Sequence, residues 1–147
     1  MNITFSKNSS SQAITNEEFE EFENLIGYKL PEDYKNFMLE YNGGIVNEWE
    51  FVKHVNYPKG EQGIVRLFSI EYGFAGMEQM HRRYFDLLPK GYITIGHTYS
   101  SGSIIISLNN DDTYGNIKEW IDEDMDILDL SPSFTQLLND QVLIKKQ

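Results

Sequence analysis

The most regular hydrophobic pattern in the chain begins after Pro31. Large apolar side chains recur there at the i, i+3, i+4, i+7 spacing of one helix face, at Tyr34, Phe37, Met38 and Tyr41. Proline suits the first helical turn, because its missing N–H would have no partner there, and the acids that follow it favour the positive end of the helix dipole. The pattern predicts a central helix over residues 31–41 whose apolar stripe faces the core.

The tripeptide Asn42-Gly43-Gly44 follows this helix directly. Asparagine and glycine tolerate positive φ, which the end of a helix and a sharp reversal of the chain require. We therefore predict that the helix stops here and that the chain turns.

An earlier helix is indicated by a capping box from Thr15 to Glu18, in which the two side chains satisfy free backbone donors reciprocally. Its apolar face contains Phe19, Phe22 and either Leu25 or Ile26, and a glycine at position 27 is placed to end it. Only a few residues separate this helix from the central one, so the two should be neighbours in space.

After Gly44 the apolar spacing becomes that of strands. One or two short strands are expected between residues 45 and 55, and longer ones at 64–70, 92–96, 103–108 and 116–121. The last three are joined by short polar turns and should form an antiparallel meander. A helix is expected from Met77 to Leu87, an acidic loop over residues 122–129 with Met125, Ile127 and Leu128 turned inward, and a final helix after Ser133.

This order of elements predicts an α+β fold in which helices cover one face of a largely antiparallel sheet. A length of 147 residues suits one domain over 1–147, with residues 1–14 as an arm or an edge strand.

Five short motifs, taken in order, resemble those of the SUKH superfamily. They are Leu30-Pro31, Asn42-Gly43-Gly44, Leu88-Pro89 with the segment 92–96, the segment 102–107, and Ser133-Phe134. That superfamily holds many bacterial immunity proteins and a fungal regulator of cell-wall synthesis. The resemblance spans nearly the whole chain and implies the same α+β fold.

The formal charge of −11 is unevenly distributed. Two acidic blocks stand out, Glu17 to Glu23 and Glu119 to Asp129, whereas residues 53–90 are slightly basic. Affinity for nucleic acid comes largely from cations, so nucleic acid is not expected as a direct ligand, and a basic protein partner fits better. No apolar run is long enough for a membrane helix and no signal peptide is visible, so we expect a cytoplasmic protein without membrane contact.

Catalytic and metal-binding motifs are not evident. The chain has no cysteine, and its three histidines, His54, His81 and His97, share no ligand spacing. A calcium loop starting at Asn110 would place Ile121 where a bidentate glutamate is required. Neither a nucleophile elbow nor a phosphate loop is present. We expect no catalytic, metal or cofactor-binding residue, no cofactor, and no enzymatic activity.

Surface recognition is the remaining class of function. Trp49 lies between two glutamates and is either an aromatic anchor ringed by acids or a core-facing strand residue. The candidate partner-binding residues are Trp49, Asp111, Asp112, Glu119, Asp122, Glu123, Asp124 and Asp126. The face from Glu17 to Glu23 is the second candidate.

The resemblance implies an immunity protein that binds a cognate bacterial toxin and blocks it by occlusion. Many such toxins are nucleases with basic grooves, which an acidic partner would reach quickly by electrostatic steering. The alternative is a regulatory or scaffold module that binds a host protein or a small ligand in a sheet groove.

Overall fold

A computed structural model describes residues 3–6, 12–47, 50–57, 59–73, 76–121 and 126–144. These residues form four helices, α1 (Asn16–Ile26), α2 (Glu32–Tyr41), α3 (Met77–Tyr84) and α4 (Phe134–Asn139). The strands are β1 (Gly44–Ile45), β2 (Val52–His54), β3 (Ile64–Leu67), β4 (Tyr92–Thr98), β5 (Ser103–Ser107), β6 (Ile117–Ile121), β7 (Asp126–Ser131) and β8 (Gln141–Leu143). None of the described helices is both long and apolar enough to cross a membrane.

Six strands form one antiparallel sheet in the order β1-β3-β4-β5-β6-β7. The segment from β3 to β7 is a meander interrupted by one helix, since each strand pairs with the next along the chain. Strands β2 and β8 form a separate antiparallel pair that joins the middle of the chain to its end. The predicted α+β fold, with a largely antiparallel sheet in a single domain, is confirmed.

The main core lies between one face of the six-stranded sheet and helices α1, α2 and α4. Tyr34 and Phe37 of α2 both meet the ring of Phe134 edge-on, with ring centroids 5.1 and 5.0 Å apart. Isoleucines 93, 95, 104 and 106 supply the sheet side of this core. Burying such side chains contributes about 1.5–3 kcal/mol each, so this interface accounts for much of the folding energy.

A smaller cluster covers the opposite face of the sheet. Ile105 and Trp120 point away from the main core because side chains alternate along a strand. Tyr84, at the end of α3, and Leu88, just after it, pack against them. Trp120 is only 4% exposed. Both faces of the central strands are therefore covered.

The predicted helix boundaries are confirmed at α1 and α2. The Thr15 capping box is present with both of its hydrogen bonds, and Gly27 ends α1 with a φ of 78°. Asn42 ends α2 in the left-handed conformation, with a φ of 48°. A Cβ on Gly43 would come within 2.6 Å of the carbonyl oxygens of Leu67 and Phe68, so the backbone of the neighbouring segment passes too closely for any other residue.

Several local predictions were wrong. Residues 126–131 are a strand rather than an acidic loop, and Ile127 is 43% exposed instead of turned inward. Tyr41 was assigned to the core stripe of α2 but its side chain is exposed, and it stacks on Phe37 at the end of the helix. Strand β3 ends at Leu67 rather than residue 70, and strand β8 was not predicted.

Candidate functional site

The predicted acidic residues lie at opposite ends of β6. Asp111 and Asp112 are exposed in the turn that precedes this strand, whereas Asp126 is exposed beyond its other end, where it pairs with Ile121. Four residue steps along a strand span roughly 13 Å. The structure therefore does not bring these three acids together into one cluster.

Glu119 is fully buried, so it does not belong to an exposed acidic face. One carboxylate oxygen accepts hydrogen bonds from the hydroxyls of Thr98 at 2.5 Å and Ser100 at 3.1 Å. The other lies 3.5 Å from the side-chain nitrogen of Gln62. The carboxylate has exchanged water for three protein donors, which is the usual condition for burying a charge. Trp49, Asp122, Glu123 and Asp124 lie outside the described residues.

The structure instead places two further acids, Glu23 and Asp33, near the turn that carries Asp111, Asp112 and Tyr114. The hydroxyl of Tyr114 donates to the backbone oxygen of Lys29 at 2.7 Å, which ties the turn between β5 and β6 to the loop between α1 and α2. The Tyr114 side chain is 41% exposed. Its pKa is raised by partial burial and further by the negative charges of Glu23 and Asp33. We call Tyr114, Glu23, Asp33, Asp111 and Asp112 the Tyr114 surface.

Three carboxylates of the Tyr114 surface are held by backbone N–H groups. Glu23 accepts from Leu30 at 2.7 Å, Asp33 from Thr135 at 2.9 Å, and Asp111 from Thr113 at 2.8 Å. The hydrogen bond from the Thr113 hydroxyl, together with the one from its backbone, lowers the pKa of Asp111. These carboxylates are therefore held in fixed positions, which reduces the entropy lost when a cationic partner binds.

The acidic face of α1 is divided between internal and surface roles. Glu18 is committed to the capping box and to the Tyr72 hydroxyl, a hydrogen bond that is the main reason its pKa is lowered. Glu17, Glu20 and Glu21 remain exposed. Glu20 and Glu23, together with Lys29 and Lys35, line a groove of about 570 Å³ between α1 and α2. Glu23 belongs both to this groove and to the Tyr114 surface, so the two adjoin. Tyr114 and Lys29 are 85 residues apart in the chain, so no local sequence pattern shows their contact.

A buried histidine, serine and aspartate also come together, from three different elements. His54 Nε2 lies 3.0 Å from the hydroxyl of Ser131 and 3.4 Å from a carboxylate oxygen of Asp140, and the Ser131 hydroxyl donates to that same oxygen at 2.7 Å. His54 Nδ1 accepts the backbone N–H of Asn56. The spacing of these residues in the sequence gave no sign of the group.

The order of contacts in this group differs from that of a hydrolytic triad. There the serine donates to one imidazole nitrogen and the aspartate accepts from the other. In this protein Ser131 and Asp140 face the same nitrogen, and the serine proton goes directly to the carboxylate. In this arrangement the Ser131 proton is not directed at the imidazole. The group joins the β2–β8 pair to β7 and the end of α4.

Within the described part of the chain, no group of three or more histidine and acidic side chains could hold a metal ion. His54 has its pKa lowered, chiefly because burial disfavours the charged ring, although Asp140 opposes the shift.

Comparisons with known proteins point to the same family as the sequence motifs. Residues 13–140 match the model of the SMI1 / KNR4 family (SUKH-1). The chain is also similar to the SPbeta prophage-derived uncharacterized protein YokK of Bacillus subtilis (strain 168), with 25% identity over 143 residues that cover 84% of this chain and 72% of that protein. The matched range contains all five residues of the Tyr114 surface.

Proposed function

The chain belongs to the SMI1 / KNR4 family (SUKH-1), and from this premise we propose that it is an immunity protein that binds a bacterial toxin and blocks the toxin's active site. The family contains immunity and regulatory proteins, and the similar YokK protein is prophage-derived. Its partner, in this proposal, is a nuclease whose substrate groove is basic. The Tyr114 surface is the observation on which the choice of a basic partner rests.

The chemistry of this surface suits a basic protein groove. Tyrosine is enriched among residues that dominate binding energy, and Tyr114 is a half-exposed ring whose hydroxyl is already fixed to the backbone. The surrounding carboxylates are held in place before the partner arrives. A net charge of −11 would accelerate encounter with a cationic groove, and this acceleration falls as salt screens the charges.

The first experiment is co-purification of the protein with the product of the adjacent gene, at low and high salt, combined with a growth assay for relief of toxicity. A one-to-one complex that suppresses toxicity and weakens in high salt supports the proposal. Failure to bind or protect against any neighbouring gene product rejects it, and would favour the alternative of a regulatory module that binds a host protein.

Charge reversal locates the binding surface. One triple variant changes exposed acids at or beside the Tyr114 surface, Glu20, Glu32 and Asp112, to lysine. A second changes Asp122, Glu123 and Asp124, the acidic segment expected from the sequence. The matched control changes Glu61, Glu71 and Asp86, which are exposed elsewhere. All three alter the formal charge equally, so any difference between them reports position rather than net charge.

We expect the Tyr114-surface variant to weaken toxin binding at least 100-fold while the control loses less than 10-fold. Equal losses in all three variants would show that only net charge matters. A selective loss in the 122–124 variant would move the interface to that segment and reject the Tyr114 surface.

A further inference from the structure

A groove lined by cationic side chains lies near the end of α1, outside the acidic Tyr114 surface. It has a volume of about 480 Å³ and runs between the end of α1, helix α3 and the start of β4. Its principal lining side chains are Leu25, Tyr28, His81, Arg82, Phe85 and Lys90. The volume lies within the range of ligand clefts, roughly 300–1,000 Å³.

Large apolar side chains are exposed at this groove. Leu25 is 58% exposed and Phe85 is 50% exposed. Tyr28, which also lines the groove, is partly open to solvent. The Phe85 ring is stacked on His81 with centroids 5.4 Å apart, so its position is set before a ligand binds. An exposed, fixed aromatic ring beside an exposed leucine is typical of a binding surface rather than of a solvated helix.

The charged side chains that line the groove are cationic. Arg82 and Lys90 are both exposed, and across the described residues neither forms an ion pair with a carboxylate within 4.0 Å. Burial lowers the pKa of His81, which leaves this ring neutral at pH 7. Both cations lie next to exposed apolar side chains, on a chain with a net charge of −11.

We propose that this groove binds an acidic peptide segment of a partner protein, with one large apolar side chain seated against Leu25 and Phe85 and carboxylates placed at Arg82 and Lys90. The apolar walls require an apolar side chain in the ligand, which a free phosphate lacks. A nucleic acid carries phosphates along its whole length, so most of them would face the acidic remainder of the surface, whereas a peptide segment can confine its carboxylates to the two cations of the groove. The charge of the groove is complementary to an acidic segment and opposite to that of the Tyr114 surface.

The proposal does not depend on the toxin-binding function. The test begins with selection of phage-displayed random dodecapeptides on the immobilised protein. We expect the recovered sequences to combine aspartate or glutamate with phenylalanine, leucine or tryptophan. Recovery of sequences without acidic enrichment would overturn the proposal.

Arg82 and Arg83 provide a matched pair for the second step. Both are exposed near the end of α3, but only Arg82 lines the groove. Binding of a fluorescein-labelled recovered peptide should weaken at least 10-fold in Arg82→Glu and less than 3-fold in Arg83→Glu at physiological salt. Equal effects would show that the peptide responds to general charge and binds elsewhere.

Leu25→Ser tests the apolar wall. The variant should remain folded because this exposed side chain contributes little to the fold, and the same peptide should bind to it at least 10-fold more weakly. Thermal melting of each variant checks that the fold is retained. Sedimentation of the wild-type protein tests the competing occupant. A dimer that is lost in Arg82→Glu would mean that a second copy of the chain fills the groove, and the peptide proposal would then be wrong.

Discussion

Replacement of Asn42 tests what the Asn-Gly-Gly turn does for the fold. The Asn42 side chain is fully buried at the end of α2. Its amide nitrogen donates to the backbone oxygens of Gln12 at 3.0 Å and Ile70 at 2.9 Å, and its oxygen accepts the backbone N–H of Ile70 at 2.8 Å. One side chain thus joins the segment before α1, the end of α2 and the segment after β3.

Two substitutions separate the hydrogen bonds of Asn42 from its backbone conformation. Asn42→Gly keeps the positive φ but removes the bonds, and leaves the N–H of Ile70 buried without this acceptor. An unsatisfied buried donor costs about 1–3 kcal/mol, and each lost bond about 0.5–1.5 kcal/mol. The Ile70 oxygen keeps its bond from the backbone N–H of Tyr72, so we expect a total loss of about 3 kcal/mol.

Asn42→Ala should cost about 1–2 kcal/mol more than Asn42→Gly, because alanine also resists the left-handed conformation at φ 48°. The measurement is urea denaturation, which compares the free energies of unfolding directly. A protein of this size is stable by about 10 kcal/mol, so both variants should still fold.

Asn36 is the matched control, because it is exposed within the same helix. There alanine should be more stable than glycine by about 0.5–1 kcal/mol, the reverse of the order at Asn42, since helix propensity alone decides. If Asn42→Gly unfolds within about 0.5 kcal/mol of the wild type, the hydrogen-bond argument is refuted. If alanine is no worse than glycine at position 42, the conformational argument is refuted.

Two further predictions concern the buried polar groups. The pKa of His54 is lowered in the folded protein. Below the ordinary histidine pKa of about 6.5 the unfolded chain therefore binds more protons than the folded protein. The free energy of unfolding should fall as the pH decreases from 7 to 5. His54→Gln should make this slope shallower in pH-dependent urea denaturation, and an unchanged slope would contradict the assignment. Glu119→Ala should destabilise the fold by about 2 kcal/mol, because it removes the acceptor of the Thr98 and Ser100 hydroxyls. The control, Glu61→Ala at an exposed position, should change the free energy of unfolding by less than about 0.5 kcal/mol. Equal effects of the two changes would contradict the role given to Glu119.

Local signals predicted the elements that depend on local chemistry. The Thr15 capping box, the proline start of α2 and its Asn-Gly-Gly end act through hydrogen bonds and φ preferences within a few residues, so the sequence is sufficient to find them. The part of the meander from β4 to β6 was predictable for the same reason, because its connections are short.

The remaining features depend on distant contacts. Strand β7 carries Asp126 and Asp129 among its apolar residues, so its composition indicated a loop, yet pairing with β6 makes it an edge strand, where charge is favourable. Strand β8 forms because β2 provides a partner about 90 residues earlier. The Tyr114 surface and the His54 group similarly join segments that are adjacent only after folding.

The residues that identify the family and the residues proposed to bind partners are different sets. Leu30, Asn42 and the isoleucines of β4 and β5 carry the resemblance, and all are buried. Asp112, Tyr114, Arg82 and Leu25 are exposed, and none belongs to the motifs. The motifs therefore preserve the fold, while the partner can change through surface substitutions that cost little stability. Variants at Asp112 or Arg82 should accordingly alter binding without altering unfolding, whereas variants at Asn42 should lower stability first and affect binding only through the loss of folded protein.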